Sequence, residues 1–185
     1  MQRVWVVGLS GSGKTTLAHR LGELLGVPHI EMDALNWGPN WTPAGADLLG
    51  QRVQQAIAAD GWTLDGNYSA THHLVAARAD TVVWLDLPLW LILWRLSKRS
   101  FQRSLSQEPL WNGNRESFRT VFFSRESLFI WTFRSWSRHK HRYPAMQRDP
   151  ALAHLTWVRL RTPKEVSAWL ALQEQAARQP TQHLA

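Results

Sequence analysis

Gly8-Leu9-Ser10-Gly11-Ser12-Gly13-Lys14-Thr15 decides how this chain is read. It fits G-x-x-x-x-G-K-[ST] at every fixed position. The apolar run Val4-Trp5-Val6-Val7 precedes it, and Thr15 to Leu25 follows with Leu17, Leu21, Leu24 and Leu25 at helical spacing. The loop therefore lies between a strand and a helix, the context that the motif requires. Glycines at 8, 11 and 13 let the backbone curl, so that successive N–H groups from Gly8 through Leu9, Ser10, Gly11, Ser12, Gly13, Lys14, Thr15 and Thr16 line a phosphate cradle. The following helix adds its positive end. Lys14 is expected to reach the β- and γ-phosphates of ATP, and Thr15 to offer its hydroxyl to Mg²⁺.

The totals narrow the class. At 185 residues the chain holds one α/β domain with a good core. The best apolar stretch, Thr81 to Trp94, is interrupted by Asp86 and Pro88, so no membrane span is expected. The N-terminus runs straight into a strand without a signal peptide's regions. The absence of cysteine excludes disulfides and thiolate metal sites and fits a cytoplasmic protein. A formal charge of +7 points to anionic partners. The twelve tryptophans are scattered, and most are expected to pack the core.

Strands are expected at Val27–Met32, Trp62–Leu64, Thr81–Leu85 and Leu155–Leu160, in addition to the one before the glycine loop. Helices are expected from Pro43 to Ala59 with Thr42 as N-cap, in a short segment ending at Arg78, from Pro88 to about Ser104, from Glu116 to about His141, and from Pro163 to about Ala177. Residues 1–178 thus form one domain and 179–185 a tail. Alternating strands and helices imply a parallel sheet covered on both faces, with ligands at the carboxyl ends of the strands. Gly8, Asp33, Asp65, Asp86 and Thr162 all fall at or just beyond such ends.

Phosphoryl transfer needs a strand-end carboxylate to support the metal. Asp65 and Asp86 compete for that place. Asp86 follows the more apolar strand; Asp65 is followed by Gly66, which allows close approach of substrate, and is placed first. Asp86 is read as capping the helix that begins at Pro88. Asp33 is read either as a group that orients or deprotonates an acceptor hydroxyl, or as an Asx-turn residue of the Ala34–Trp41 loop. His72 and His73 are read as surface residues without metal-ligand spacing.

Between Arg95 and Arg142 stand eleven Lys and Arg against three Glu, so this stretch carries the whole positive excess. Arg95 and Arg99 are four apart and share a helix face, as do Arg134 and Arg138. Both pairs are placed as clamps on a triphosphate, where the guanidinium fork suits phosphate. Interleaved Phe118, Phe122, Phe129, Trp131 and Phe133 argue that this segment packs on something.

The glycine loop, the Asp33-x3-Trp37 element with Trp41, Asp65-Gly66-Asn67-Tyr68 and the Arg95/Arg99 pair together resemble the small bacterial adenylate-kinase-like P-loop proteins. These are often labelled DNA topology modulation, or FlaR-related, proteins. The likeness runs from Arg3 to about Leu170. It implies a nucleoside-monophosphate-kinase-like fold, with a five-stranded parallel sheet in order 2-3-1-4-5 and helices on both faces. It also implies a substrate-binding insertion at about 33–60 and a basic helical lid at about 100–142. By that likeness Asp65 takes the magnesium role, Arg95 lies near the base, Arg99 and the lid arginines face phosphates, and Thr162 borders the adenine. The chain departs from adenylate kinases proper at Asp65-Gly66-Asn67-Tyr68-Ser69, where those enzymes carry Asp-Gly-Phe-Pro-Arg. The arginine that grips an acceptor monophosphate is missing.

The leading expectation is an ATP-dependent, Mg²⁺-requiring small-molecule kinase. Lys14, Asp33, Arg99, Arg134 and Arg138 would do the chemistry, and Asp33, Trp37, Trp41, Gly66, Asn67 and Tyr68 would hold the acceptor. The alternative is an ATP-binding protein that acts with nucleic acid through its basic segment. No helix-turn-helix, zinc or RNA-recognition signature supports that second reading.

Overall fold

The computed structural model describes residues 1–106, 110–114 and 128–178. Five parallel strands form one sheet in the order β2-β3-β1-β4-β5. They are β1 (Arg3–Gly8), β2 (His29–Glu31), β3 (Trp62–Asp65), β4 (Thr81–Leu85) and β5 (Thr156–Leu160). β1 lies at the centre, with Val6 opposite Asp65 on β3 and Gly8 opposite Leu85 on β4.

The central strands are apolar because both faces are covered. Alternate residues of β1 enter two different cores. Trp5 and Val7 pack with Ile30, Met32, Leu64, Val82 and Trp84. Over this face lie α3 (Ala46–Ala56) through Leu49 and Val53, α4 (His72–Arg78) through Val75, and α6 (Leu128–Arg148) through Tyr143. Val4 and Val6 face the other way, onto Leu17 and Leu21 of α1 (Lys14–Leu25) and Leu170 of α7 (Pro163–Arg178). A third cluster, Leu9, Leu87 and Ile92, seats the base of α5 (Leu89–Ser106) beside the glycine loop.

Several boundaries differ from those expected. β2 ends at Glu31, and Asp33 belongs to a short helix, α2 (Met32–Asn36), rather than to a turn. α3 begins at Ala46 after Gly45, not at Pro43. Thr42 does not cap it: its hydroxyl donates to Pro39 O at 2.8 Å, and Pro43 bridges Trp37 across the loop. α6 runs on through Pro144 to Arg148, while Glu116–Ser127, expected as its first turns, lie outside the described residues, as does the 179–185 tail. His72 is not a surface residue. Its ring packs edge-on against Trp5 at 5.0 Å, and burial pushes its pKa down to about 4. Of the tryptophans, Trp5, Trp62 and Trp84 are core residues, whereas Trp90 and Trp94 are exposed. Among the described residues no helix is long and apolar enough to cross a membrane.

Asp86 does not cap α5. Its carboxylate takes Lys140 of α6 at 2.8 Å and the guanidinium of Arg159 on β5, which itself lies over the Trp84 ring at 4.3 Å. Two cations from separate elements outcompete a local cap because charge-assisted bonds are the stronger ones. The carboxylate is buried, so removing it leaves two cations facing each other without their counter-ion. Asp86→Ala is expected to lower stability by about 2 kcal/mol. This lies below the fully buried range because both cations remain about a third exposed. Urea unfolding measures the loss, and nucleotide binding is expected to persist under conditions where the variant stays folded.

Candidate active site

The glycine loop turns out of β1 as expected. At Gly8, φ is +153°, and an added Cβ would lie 2.8 Å from Ser12 Oγ and 2.9 Å from Leu85 O. No larger residue fits that corner. Ser12 N–H donates to Leu9 O at 3.1 Å, and Lys14 Nζ reaches back to the same oxygen at 3.0 Å. The Leu9 side chain is buried in the α5 cluster, so it is the residue's backbone that faces the loop. At the start of α1, Gly13 offers no side-chain cap and the first turn holds no acid. The first-turn N–H groups are thus left to an external anion.

α5 places two arginines over this loop. Arg95 Nη1 donates to Ser12 O at 3.4 Å and Arg99 Nη2 to Ser10 Oγ at 3.2 Å. Both line the same crevice of about 720 Å³, together with Ser10, Gly13, Lys14, Thr15 and Thr16. Desolvation lowers the Lys14 pKa, and the carboxylates of Asp65 and Asp33 oppose that shift.

The far side of the crevice is acidic and aromatic. The parallel register of β3 beside β1 brings Asp65 up to the loop. Asp65 is 5% exposed, and its Oδ2 has no hydrogen-bond partner. Burial raises its pKa to about 6, while the Thr15 hydroxyl and Lys14 act to lower it. Gly66, next in the chain, has φ +121°, and a Cβ there would lie 2.5 Å from Met32 Cβ. Asp33 also lines the crevice, and its Oδ1 accepts the Tyr68 hydroxyl. Burial, then the Asp33 charge, raises the Tyr68 pKa, so this phenol stays protonated as a donor. Asn36 Nδ2 in turn donates to Tyr68 Oη at 3.3 Å.

Residues of the 110–114 segment complete the wall. Trp111 lines the crevice with Leu110, and its Nε1 donates to Glu31 Oε2 at 2.9 Å. Asn114 is buried: its Oδ1 accepts Trp41 N–H at 2.9 Å and its Nδ2 donates to Gly38 O at 2.9 Å. Trp37, Trp41 and Trp111 form an edge-to-face row with centroids 5.6 and 6.5 Å apart. Trp41 faces the crevice, while Trp37 sits behind it. Glu31, Trp111 and Asn114 were not anticipated. Nothing local in the Asn112-Gly113-Asn114 turn specifies where it docks.

The expected α6 clamp is not formed. Among the described residues of that helix, Thr132, Ser135, His139 and Tyr143 are buried, three and four apart. The same helical period turns Arg134 and Arg138 outward, where both are exposed. Arg138 donates to Ser135 Oγ at 3.1 Å and lines a separate surface hollow with His141 and Arg142. The inward group is His139, whose Nε2 lies 2.9 Å from Asn67 Nδ2. Its pKa is lowered to about 4 by burial, with the Lys14 charge next. Asn67 therefore braces α6 against the end of β3 and does not line the crevice. Thr162 likewise is not among the residues that line the crevice. It caps α7, accepting Glu165 N–H at 3.1 Å, while Glu165 accepts Arg161 N–H at 2.8 Å. The Thr162 hydroxyl also donates to Glu165 Oε1 at 3.2 Å, so it is engaged within the cap as donor and acceptor.

No protein-family model matches the chain. It is 26% identical over 122 residues to a shikimate kinase of Thermosynechococcus vestitus, covering 58% of this chain, and spans 66% of the length of that curated relative. Among solved structures it is similar to an unliganded sugar kinase from Janibacter sp. HTCC2649, with a TM-score of 0.53 and 18% identity over 96% of each chain. A shikimate kinase from Acinetobacter baumannii in complex with shikimate matches at 0.53 and 17%, over 97% of this chain and 96% of that one. A gluconokinase from Sinorhizobium meliloti 1021 matches at 0.51 and 17%, over 95% and 94%. At these identities the structural likeness establishes the fold: an α/β P-loop architecture of the shikimate, sugar and gluconate kinase type.

Proposed function

We propose that this protein transfers the γ-phosphate of ATP to a hydroxyl of a small molecule, with Mg²⁺ as the resident cation. One observation carries the reading. The glycine loop with Lys14 and Thr15, the buried Asp65 and the crevice-facing Asp33 all line one space of about 720 Å³. The curated shikimate kinase and the folds of the solved sugar kinase, shikimate kinase and gluconokinase support the same class. The likeness to the topology modulation group, carried by Asp33-x3-Trp37 and Asp65-Gly66-Asn67-Tyr68, belongs to this proposal too.

The residues fit a hard divalent cation. Asp65 holds a buried oxygen without a hydrogen-bond partner, 3.9 Å from His29 Nε2, and the Thr15 hydroxyl stands against the same carboxyl group. Among the described residues no cluster of three acid, His or Cys side chains could form an all-protein cage. Mg²⁺ suits such a place because it keeps waters and takes phosphate oxygens as ligands. Bound there, it would supply charge neutralisation on the triphosphate.

The chain's own groups account for the rest. Loop N–H groups and the α1 terminus receive the phosphates, and Lys14 moves from Leu9 O to the terminal phosphoryl group. Arg95 and Arg99 hold the donor side from α5. Asp33, fixed by Tyr68 through Oδ1, presents Oδ2 to the acceptor hydroxyl and takes its proton as the bond to phosphorus forms. Trp41 and Trp111 wall the acceptor from water.

Lys14→Ala is expected to lower turnover at least about a hundredfold with thermal stability maintained. Full activity of that variant in an ADP-release assay across hydroxylated acceptors would refute the reading. Asp33→Asn is expected to reduce kcat by about 10²–10⁴ while ATP binding, followed by calorimetry, stays near wild type. Asp65 has a two-sided signature. Its carboxyl is raised from 3.8 to about 6 in the fold, so its ionisation costs stability as pH rises through that window. Asp65→Asn should therefore stabilise the ligand-free protein at pH 7, by on the order of 2 kcal/mol, and abolish Mg²⁺-dependent ATP binding. Wild-type affinity for ATP·Mg²⁺ should weaken as pH falls through about 6, as the metal carboxylate protonates.

A further inference from the structure

The lining of the crevice is divided by charge. Its described cations all belong to the donor end: Lys14 donates to Leu9 O, Arg95 to Ser12 O and Arg99 to Ser10 Oγ. The acceptor end carries Glu31 and Asp33 with Trp41, Trp111, Leu110 and Gly66. Among the described residues no cation lines that end.

Each of the two carboxylates is held by one neutral donor. Glu31 Oε2 accepts the Trp111 indole and Asp33 Oδ1 accepts the Tyr68 phenol. Neither bond neutralises the carboxylate, and each leaves the second oxygen for a ligand. An ionised carboxylate only accepts hydrogen bonds, so the complementary groups on a ligand are hydroxyl and ammonium donors. A carboxylate or phosphate on the acceptor would meet like charge at both places. The indoles of Trp41 and Trp111 offer apolar surface to the C–H face of a ring. The three features select together: donors along one edge, an apolar face, and no negative charge.

We infer that the acceptor is a non-anionic polyhydroxylated compound, a sugar-, cyclitol- or aminosugar-like molecule whose hydroxyl or amino groups are held by Glu31 and Asp33 and whose ring face rests on Trp41 and Trp111. The inference rests on the phosphotransfer reading for the identity of this space as the acceptor site. It departs from the acid acceptors named by the shikimate kinase and gluconokinase neighbours, and it agrees with the absence of an arginine after Asp65-Gly66.

The test uses pairs of ligands on one scaffold that differ only in charge: shikimate and its methyl ester, gluconate and glucitol, adenosine monophosphate and adenosine, with glucosamine and an aminocyclitol as cationic members. Binding to the full chain is read by saturation-transfer NMR and tryptophan quenching, in the presence of a non-hydrolysable ATP analogue and Mg²⁺. Transfer is read separately with ATP. The uncharged or amino-bearing members are expected to bind at least tenfold more tightly than their acidic counterparts. In Glu31→Gln, checked for an unchanged melting temperature, that preference should fall at least fivefold. Should Glu31→Gln fail to fold, raising the salt concentration on the wild-type protein should narrow the preference in the same direction. Acidic members that bind as well as the others would overturn the inference while leaving the kinase reading intact, and failure of every member to bind would overturn it as well. A polyol that binds as expected but is not phosphorylated would overturn the kinase reading and leave the ligand class standing.

Discussion

Asp65 is held out of water at the carboxyl end of β3, beside the glycine loop and within reach of the Lys14 field, and much of the architecture serves that placement. A carboxylate at 5% exposure with an unpartnered oxygen is unfavourable on its own, as its raised pKa records. The fold tolerates it because β1 and β3 are pinned in register by two apolar cores, one on each side of β1. Gly66 then bends the chain against Met32 where no side chain could be accommodated. Stability is given up locally to keep that charge beside the glycine loop.

The same logic extends outward from the loop. Positive charge over the loop comes from α5, a helix seated on Leu9, Leu87 and Ile92, so Arg95 and Arg99 are fixed by the core beneath them. The opposite side of the crevice is built differently. Its wall joins α2, the Trp37–Trp41 loop and the distant 110–114 segment through Asn114, Trp111 and the tryptophan row. Both sides of the crevice therefore depend on contacts between pieces more than seventy residues apart, the glycine loop with α5 on one and the 31–41 stretch with 110–114 on the other.

Asp86 and Asp65 show how two similar sequence contexts separate in space. Both end apolar strands, and by hydrophobicity alone Asp86 was the stronger position. Asp86 is neutralised by Lys140 and Arg159, which tie α6 and β5 to β4. Asp65 keeps an oxygen that accepts no hydrogen bond, with His29 Nε2 3.9 Å away. The deciding factor is which cations the neighbouring elements deliver, and strand pattern says nothing about that.

The order of strands and helices and the glycine loop were legible from residue spacing and chain-local chemistry, because periodicity, glycine and proline act over a few residues. The sheet order was implied by the family likeness. The helix ends at Pro43 and His141 were misread for the same reason: Thr42 found a closer partner in Pro39 O, and Pro144 was carried within α6. What only the tertiary structure decided was the direction in which side chains face. Arg134 and Arg138 have the right spacing for a clamp, yet the buried stripe through Ser135 and His139 turns them to solvent. Trp111 and Glu31, unremarkable in sequence, meet across the crevice. Spacing along a helix specifies which residues share a face; burial, set by elements far away in the chain, specifies which face looks inward.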